Sequence, residues 1–228
     1  MTLNQIKMAI YSIFLTNYYG FKLKGSNSKD KKRLRVEYST KLLNSLNIKI
    51  NIINKSKLPQ DGQYLLVSNH RTIIDPLIIE FATKDSSIFG YWIAKKELYS
   101  SLFFGSFTRN AGTILLDREA SQMGGFFKDI KECTKEKNSI FIFPEGTRNK
   151  SEVQLSEFKD GSEIIAIKNR LPILPVYIRS QAEKTLLLAI KDSTLERTID
   201  IEIGDIIDYK NRELPLREAY KRVFNITE

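Results

Sequence analysis

One histidine, one cysteine and one tryptophan occur among 228 residues, and each scarcity excludes something. With Cys133 alone, neither an internal disulfide nor a cysteine-rich metal cluster can form, which suits a reduced, cytoplasmic setting. A zinc centre fed by a single histidine would lack ligands, so no metal is expected. Cys133 falls in the series Met123, Phe126, Phe127, Ile130, Cys133, spaced like the core stripe of a helix, and reads as packing rather than as a nucleophile. No Gly-x-Ser-x-Gly elbow occurs, so a hydroxyl activated by this chain would belong to a substrate. No apolar run reaches the roughly 20 residues of a membrane-spanning helix. The length suits one main domain with a modest appendage, and 42% hydrophobic content is enough for a sizeable core.

Acidic residues are scarce at the amino end. The first fifty residues hold ten Lys and Arg against two Asp and Glu, so nearly all of the net charge of +9 belongs to a leader. Met8 to Phe21 is uncharged and rich in Ile, Leu, Phe and Tyr; Lys22, Lys24, Lys29, Lys31, Lys32, Arg33 and Arg35 follow. An apolar aromatic stretch joined to cations is the composition of a segment lying on anionic lipid, each cation being worth about 1 kcal/mol near such a surface. Leu34, Tyr38, Leu42, Leu43 and Leu46 recur at helical spacing and predict a second leader helix. Residues 1–50 therefore read as a helical hairpin for membrane association, and 51–228 as the domain proper. A signal peptide and a basic arm for nucleic acid are the alternatives; the first lacks its small-residue cleavage pattern and the second rests on charge alone.

From residue 62 onward, strand-like runs at 64–68, 88–94, 113–116, 139–143, 173–178, 186–190 and 199–203 alternate with helical patterns at 76–84, 98–107, 120–136, 157–169 and 214–225. Such alternation predicts an α/β fold, a mostly parallel sheet covered by helices, with ligands beyond the carboxyl ends of the strands.

The one histidine sits at such an end. Tyr64 to Ser68 reads as a buried strand and Leu77 to Phe81 as a helix; between them lie His70 and Asp75. A histidine near its ordinary pKa takes a proton from a hydroxyl at neutral pH and returns it later, and an aspartate fixes its tautomer. Thr72-x-x-Asp75 also has the form of a helix capping box, and the two readings are compatible, since a capped helix would hold Asp75 rigidly. Further on, Gly112 to Leu116 leads to Asp117 and Arg118, and Ile140 to Phe143 leads to Pro144, Glu145, Gly146, Thr147 and Arg148. Each places an arginine just past a strand, where two guanidinium forks could hold a phosphomonoester. Pro144-Glu145-Gly146 equally has the residues of a tight turn.

In order along the chain, Asn69-His70-x-Thr72-x-x-Asp75-Pro76, Gly112-Thr113-Ile114-Leu115-Leu116-Asp117-Arg118, Phe143-Pro144-Glu145-Gly146-Thr147-Arg148-Asn149 and Leu171-Pro172-Ile173-Leu174-Pro175-Val176 form four blocks. Their succession, over about residues 60–180, resembles the lysophosphatidic acid acyltransferases, glycerolipid acyltransferases with an HX4D motif. The resemblance implies that His70 is the general base and Asp75 its orienting partner. It implies that Arg118 holds the acceptor's phosphate, and that Glu145, Gly146, Thr147 and Arg148 position the glycerol phosphate. Pro172 and Pro175 would shape the floor of the site near the acyl chain. Lys159, in Phe158-Lys159-Asp160-Gly161, would add a phosphate contact. Thr72 departs from the family, which more often has serine there; this touches acceptor choice and leaves the chemistry intact.

The function so implied is transfer of a fatty acyl group from acyl-CoA or acyl carrier protein, as co-substrate with no other cofactor, to the free hydroxyl of a lysophosphatidic acid in phospholipid biosynthesis. Its place would be the cytoplasmic face of an anionic membrane, peripheral or monotopic. Acyl transfer to another lysophospholipid or a lyso-aminolipid is the alternative; a non-catalytic basic binder of membrane or nucleic acid is a remote one. No nucleic-acid partner is expected, because such a binder has no need of the ordered blocks.

Overall fold

The structure is a computed structural model that describes residues 2–117 and 123–227. The chain opens with α1 (Leu3–Lys22) and α2 (Ser28–Ser45), followed by β1 (Ile48–Ile53), β2 (Leu65–Ser68), α3 (Asp75–Ala82) and β3 (Gly90–Lys95). Then come α4 (Gly105–Asn110), β4 (Thr113–Leu116), α5 (Gly124–Lys135), β5 (Ser139–Ile142), α6 (Gly161–Asn169) and β6 (Ile173–Ile178). The last elements are α7 (Ala182–Lys191), β7 (Arg197–Ile203) and α8 (Leu216–Phe224).

All seven strands share one sheet in the order β1-β7-β6-β2-β5-β3-β4. Strands β6, β2, β5, β3 and β4 run parallel, while β7 is antiparallel to β6 and parallel to β1. The sheet is thus mostly parallel and covered by helices, as the alternation predicts. Every residue of β2 and of β6 is buried, which is why both read as unbroken apolar runs rather than as alternating ones. Because β2 and β5 are parallel neighbours, the segments after them emerge side by side at the carboxyl edge. His70 and the Pro144–Arg148 loop belong to those segments.

Three expectations are corrected. The run 186–190 lies in the helix α7: Ala182, Leu186 and Ala189 are buried while Leu187 and Leu188 are exposed, a helical stripe in residues of high helix propensity. A short apolar run fits a strand and a buried helix equally well, and here the helix forms. Second, β1 is a strand that the apolar-run reading passed over, and the boundary at residue 50 runs through it. Third, two cations of the leader do not face outward. Arg35 is 2% exposed, and Lys32 Nζ donates to the carbonyl and hydroxyl oxygens of Thr83.

The leader is part of the main core. Met8, Leu15 and Tyr19 of α1 and Leu34, Tyr38, Leu42 and Leu43 of α2 pack in one cluster with Ile78 and Ile79 of α3 and Ile199, Ile201 and Ile203 of β7. Full burial of one large apolar side chain is worth about 1.5–3 kcal/mol, so seven of them fasten the helices more firmly than a loose anchor requires. Thr2 and Gln5 form a capping box at the start of α1, and Asn27 caps α2 by accepting from Asp30 N. Among the described residues no helix is long and apolar enough to cross a membrane.

Candidate active site

The loop after β2 is fixed first by Asn69. Its side-chain amide donates to Ile178 O at 3.0 Å and its oxygen accepts from Ile178 N at 2.8 Å, which extends the β2–β6 ladder past the last strand residue. Tyr220 of α8 reaches the same loop, its hydroxyl accepting from Asn69 N and donating to Val176 O at 2.6 Å. His70 follows, with both of its main-chain polar groups tied to the loop after β5. Its N–H donates to Glu145 Oε1 at 2.7 Å, and its carbonyl accepts from Asn149 N at 2.7 Å.

The imidazole is held from two sides. Nδ1 lies 2.7 Å from Asp75 Oδ2, and the ring stacks on Phe143 with centroids 4.2 Å apart at 12°. With Nδ1 taken by the carboxylate, Nε2 is the nitrogen left for a substrate, and the side chain is 20% exposed. Asp75 Oδ2 also accepts from Arg71 N at 2.5 Å and Thr72 N at 2.8 Å, so one oxygen takes three donors inside a fully buried side chain. Burial pushes the Asp75 carboxyl above the usual carboxylate range, against the opposing pull of its bond to His70.

The expected capping box is not formed. The helix α3 begins at Asp75, its N-cap position is Ile74 without a side-chain cap, and the buried Thr72 hydroxyl has no partner among the described residues. Asp75 itself reaches back to the two amides ahead of the helix, which satisfies them without Thr72.

The third block forms the tight turn its residues allow: Gly146 N donates to Phe143 O at 3.0 Å, with Pro144 second and Gly146 at φ +70° fourth. Glu145 is 3% exposed and turned inward, its second oxygen accepting from Ser156 N at 3.1 Å. Burial raises its carboxyl above the ordinary range, while the amide of His70 pulls the other way. Its observed contacts brace the His70 loop. Thr147 and Arg148 are exposed on the same turn, and Lys159 is exposed beside it, its N–H donating to Pro144 O at 2.9 Å. Asp117 pairs with Lys96 at 2.9 Å; Arg118 lies outside the described residues. Cys133 is buried and its thiol is pushed up to about 12 by that burial, which fits packing.

Against the segment that follows the histidine lies an apolar cavity of about 450 Å³. Ile73, Ile74 and Pro76, from the segment carrying His70 and Asp75, form one wall; α1, α2, Phe107 of α4 and α7 form the others. Pro172 and Pro175 do not line it. Pro175 is buried inside β6 opposite Val67, and Pro172 O accepts from Leu65 N at the amino end of β2, the far end of the sheet from His70. In a parallel sheet the residues that precede one strand cannot share an edge with those that follow its neighbour.

Comparison with known proteins decides the family. The acyltransferase family profile matches residues 49–179, more than half of the chain. The chain belongs to the acyltransferase family. This acyltransferase domain is 30% identical over 185 residues to a 1-acyl-sn-glycerol-3-phosphate acyltransferase of Streptococcus pneumoniae, a match covering 81% of the chain and 65% of the relative. It is 39% identical over 118 residues to the enzyme of that name from Helicobacter pylori, covering 51% and 48%. The acyltransferase chain thus spans about half to two thirds of the length of these two relatives. In fold it is similar to the crystal structure of the 1-acyl-sn-glycerophosphate (LPA) acyltransferase PlsC from Thermotoga maritima, with a TM-score of 0.69 at 22% identity, over 98% of the chain and 90% of that structure.

Several residues of this acyltransferase site carry no signal of their own in the sequence. Asn69 and Asn149 stand inside the four blocks, and residue type alone does not reveal that their side chains tie Ile178 and Val153. Arg71 clamps the third-block loop, its guanidinium donating to Ser151 O and Gln154 O. Phe143 stands in an apolar run and Tyr220 on the apolar stripe of an amphipathic helix, both indistinguishable there from core.

Proposed function

We propose that the chain transfers a fatty acyl group from a thioester donor, acyl-CoA or acyl carrier protein, to the free hydroxyl of lysophosphatidic acid. The observation that carries this is His70, held at Nδ1 by the buried carboxylate of Asp75, whose chain neighbours Ile73, Ile74 and Pro76 line an apolar cavity. In this reading Nε2 takes the hydroxyl proton as the acceptor oxygen attacks the thioester carbonyl. The C–S bond then breaks, and the leaving thiolate takes the proton back from the imidazolium. No covalent intermediate on the protein is needed, in keeping with the buried, high-pKa Cys133.

The cavity is of ordinary size for an apolar ligand and suits the acyl chain. Arg148, Thr147 and Lys159, exposed on neighbouring loops, are the described groups available to an acceptor phosphate, with Arg118 as a further cation. The outer face of α1 leaves Leu3, Ile10, Phe14 and Phe21 exposed, and Leu102 and Phe103 are exposed before α4. An apolar face of that breadth supports seating on a membrane, on its cytoplasmic side, with the cavity opening toward the lipid.

A mass-spectrometric screen of purified protein against acyl donors and lysolipids tests the reading. Lysophosphatidic acid should be acylated in preference to lysolipids without a terminal phosphate, and Arg148→Ala should reduce that preference. Equal rates on both acceptor types in native protein would move the assignment to another lysophospholipid or a lyso-aminolipid. Membrane binding without acyl transfer in any arm would reject enzymatic function.

A further inference from the structure

Among the described residues Arg35 is the largest fully buried side chain, and it belongs to the leader. Its guanidinium donates to Gly90 O at 2.8 Å and Ala111 O at 3.1 Å, pinning the amino ends of β3 and β4, and it pairs with Glu80 of α3. The Glu80 oxygen that takes Arg35 also accepts from Trp92 Nε1 at 2.9 Å; its other oxygen is buried without a partner among the described residues. Trp92 stacks on Phe143 at 5.0 Å and 21°, and Phe143 stacks on His70 at 4.2 Å and 12°. Phe141 closes the stack edge-on against Trp92 at 5.2 Å, and only a glycine at position 90 lets β3 approach it, since a Cβ there would lie 2.3 Å from the Phe141 ring.

Stability alone does not account for this arrangement. Apolar side chains of similar volume often replace a buried ion pair without loss, and a half-satisfied carboxylate is a poor core element. What the pair does achieve is to orient a tryptophan by its N–H, and through two nearly parallel rings to orient the imidazole.

We propose that Arg35, Glu80 and Trp92 are positioning residues that set the plane of the His70 ring through Phe143, so that the second leader helix takes part in aligning the base. The inference rests on the reading of His70 as the base for acyl transfer.

The chain offers its own probes, because His70 and Trp92 are the only residues of their types. In nuclear magnetic resonance spectra the His70 ring C–H signals should lie upfield of free imidazole, shifted by the ring current of Phe143. In Trp92→Leu they should move toward the free position, and kcat should fall about tenfold to a hundredfold with KM unchanged, as for a misplaced catalytic group. Trp92→Phe keeps a ring in the stack but loses the N–H that Glu80 holds, and should recover only part of the lost kcat. Glu80→Gln, measured in the same way, should displace the His70 signals, and it serves if Trp92→Leu fails to fold. A lowered melting temperature with native His70 signals and native kcat would reduce the network to packing and overturn the proposal. Absence of acyl transfer by the native protein would instead reject the function, while the spectra still decide the positioning.

Discussion

Around His70 the chain is held by its main chain. Asn69, His70, Arg71 and Thr72 each have a backbone group tied to a side chain or to a neighbouring loop at hydrogen-bond distance. Around Arg35 the chain is held by one side chain, a buried guanidinium that reaches the carbonyls of Gly90 and Ala111 and pairs with a single carboxylate in apolar surroundings. A loop fixed by several bonds shared among many residues loses one of them at modest cost. A buried ion pair loses everything when either partner is removed, because the other charge stays behind uncompensated. The loop is therefore robust and the leader's anchor is brittle, though in the proposed function the first carries the chemistry and the second only supports it.

The sharpest way to break this comparison is at the anchor. Arg35→Met should lower unfolding free energy by about 3–5 kcal/mol in urea denaturation, and adding Glu80→Gln should recover part of it. A loss below that range in the single variant would mean that Glu80 finds another partner.

A smaller effect concerns pH. Burial raises the carboxyls of both Asp75 and Glu145, so the folded protein holds their protons to higher pH than the unfolded chain does. Their contribution to stability is thus fully present below the ordinary carboxylate range and is lost as pH rises through the raised values. Melting curves recorded from acid to neutral pH should show Asp75→Asn gaining on the native protein as pH rises. A native protein that gains on the variant over that interval would reverse the sign.

The smallest effect sharpens the contrast within the leader. Arg33, two residues before Arg35, has a side chain 63% exposed and pairs with Asp30 and Glu37 on its own helix. Arg33→Ala should change stability by no more than about 0.5 kcal/mol.

That neighbouring pair also shows what could be read from the sequence. The parallel sheet, the His70–Asp75 pair and the tight turn at Pro144–Gly146 were legible because each depends on residue type at a fixed spacing. Arg35 was not, since in a run of cations its charge looks like the others and only the fold decides which one turns inward. Glu145 was legible as a site residue but not for what it touches; its contact is with the backbone of a residue 75 positions away. The strand expected at 186–190 failed because a leucine-rich run fits both periods, and only the exposure of Leu187 and Leu188 tells them apart. The stack of Trp92 on Phe143 joins β3 to the end of β5, and no local pattern announces it.

The central claim is that His70 acts as the base for an acyl acceptor. It is tested most directly by the rate of acyl transfer to lysophosphatidic acid for native protein and for His70→Ala, with circular dichroism and melting curves confirming that both are folded. Loss of the base should reduce the rate by about 100-fold to 10,000-fold while the fold is kept. A folded His70→Ala protein that transfers acyl groups at the native rate would contradict the account.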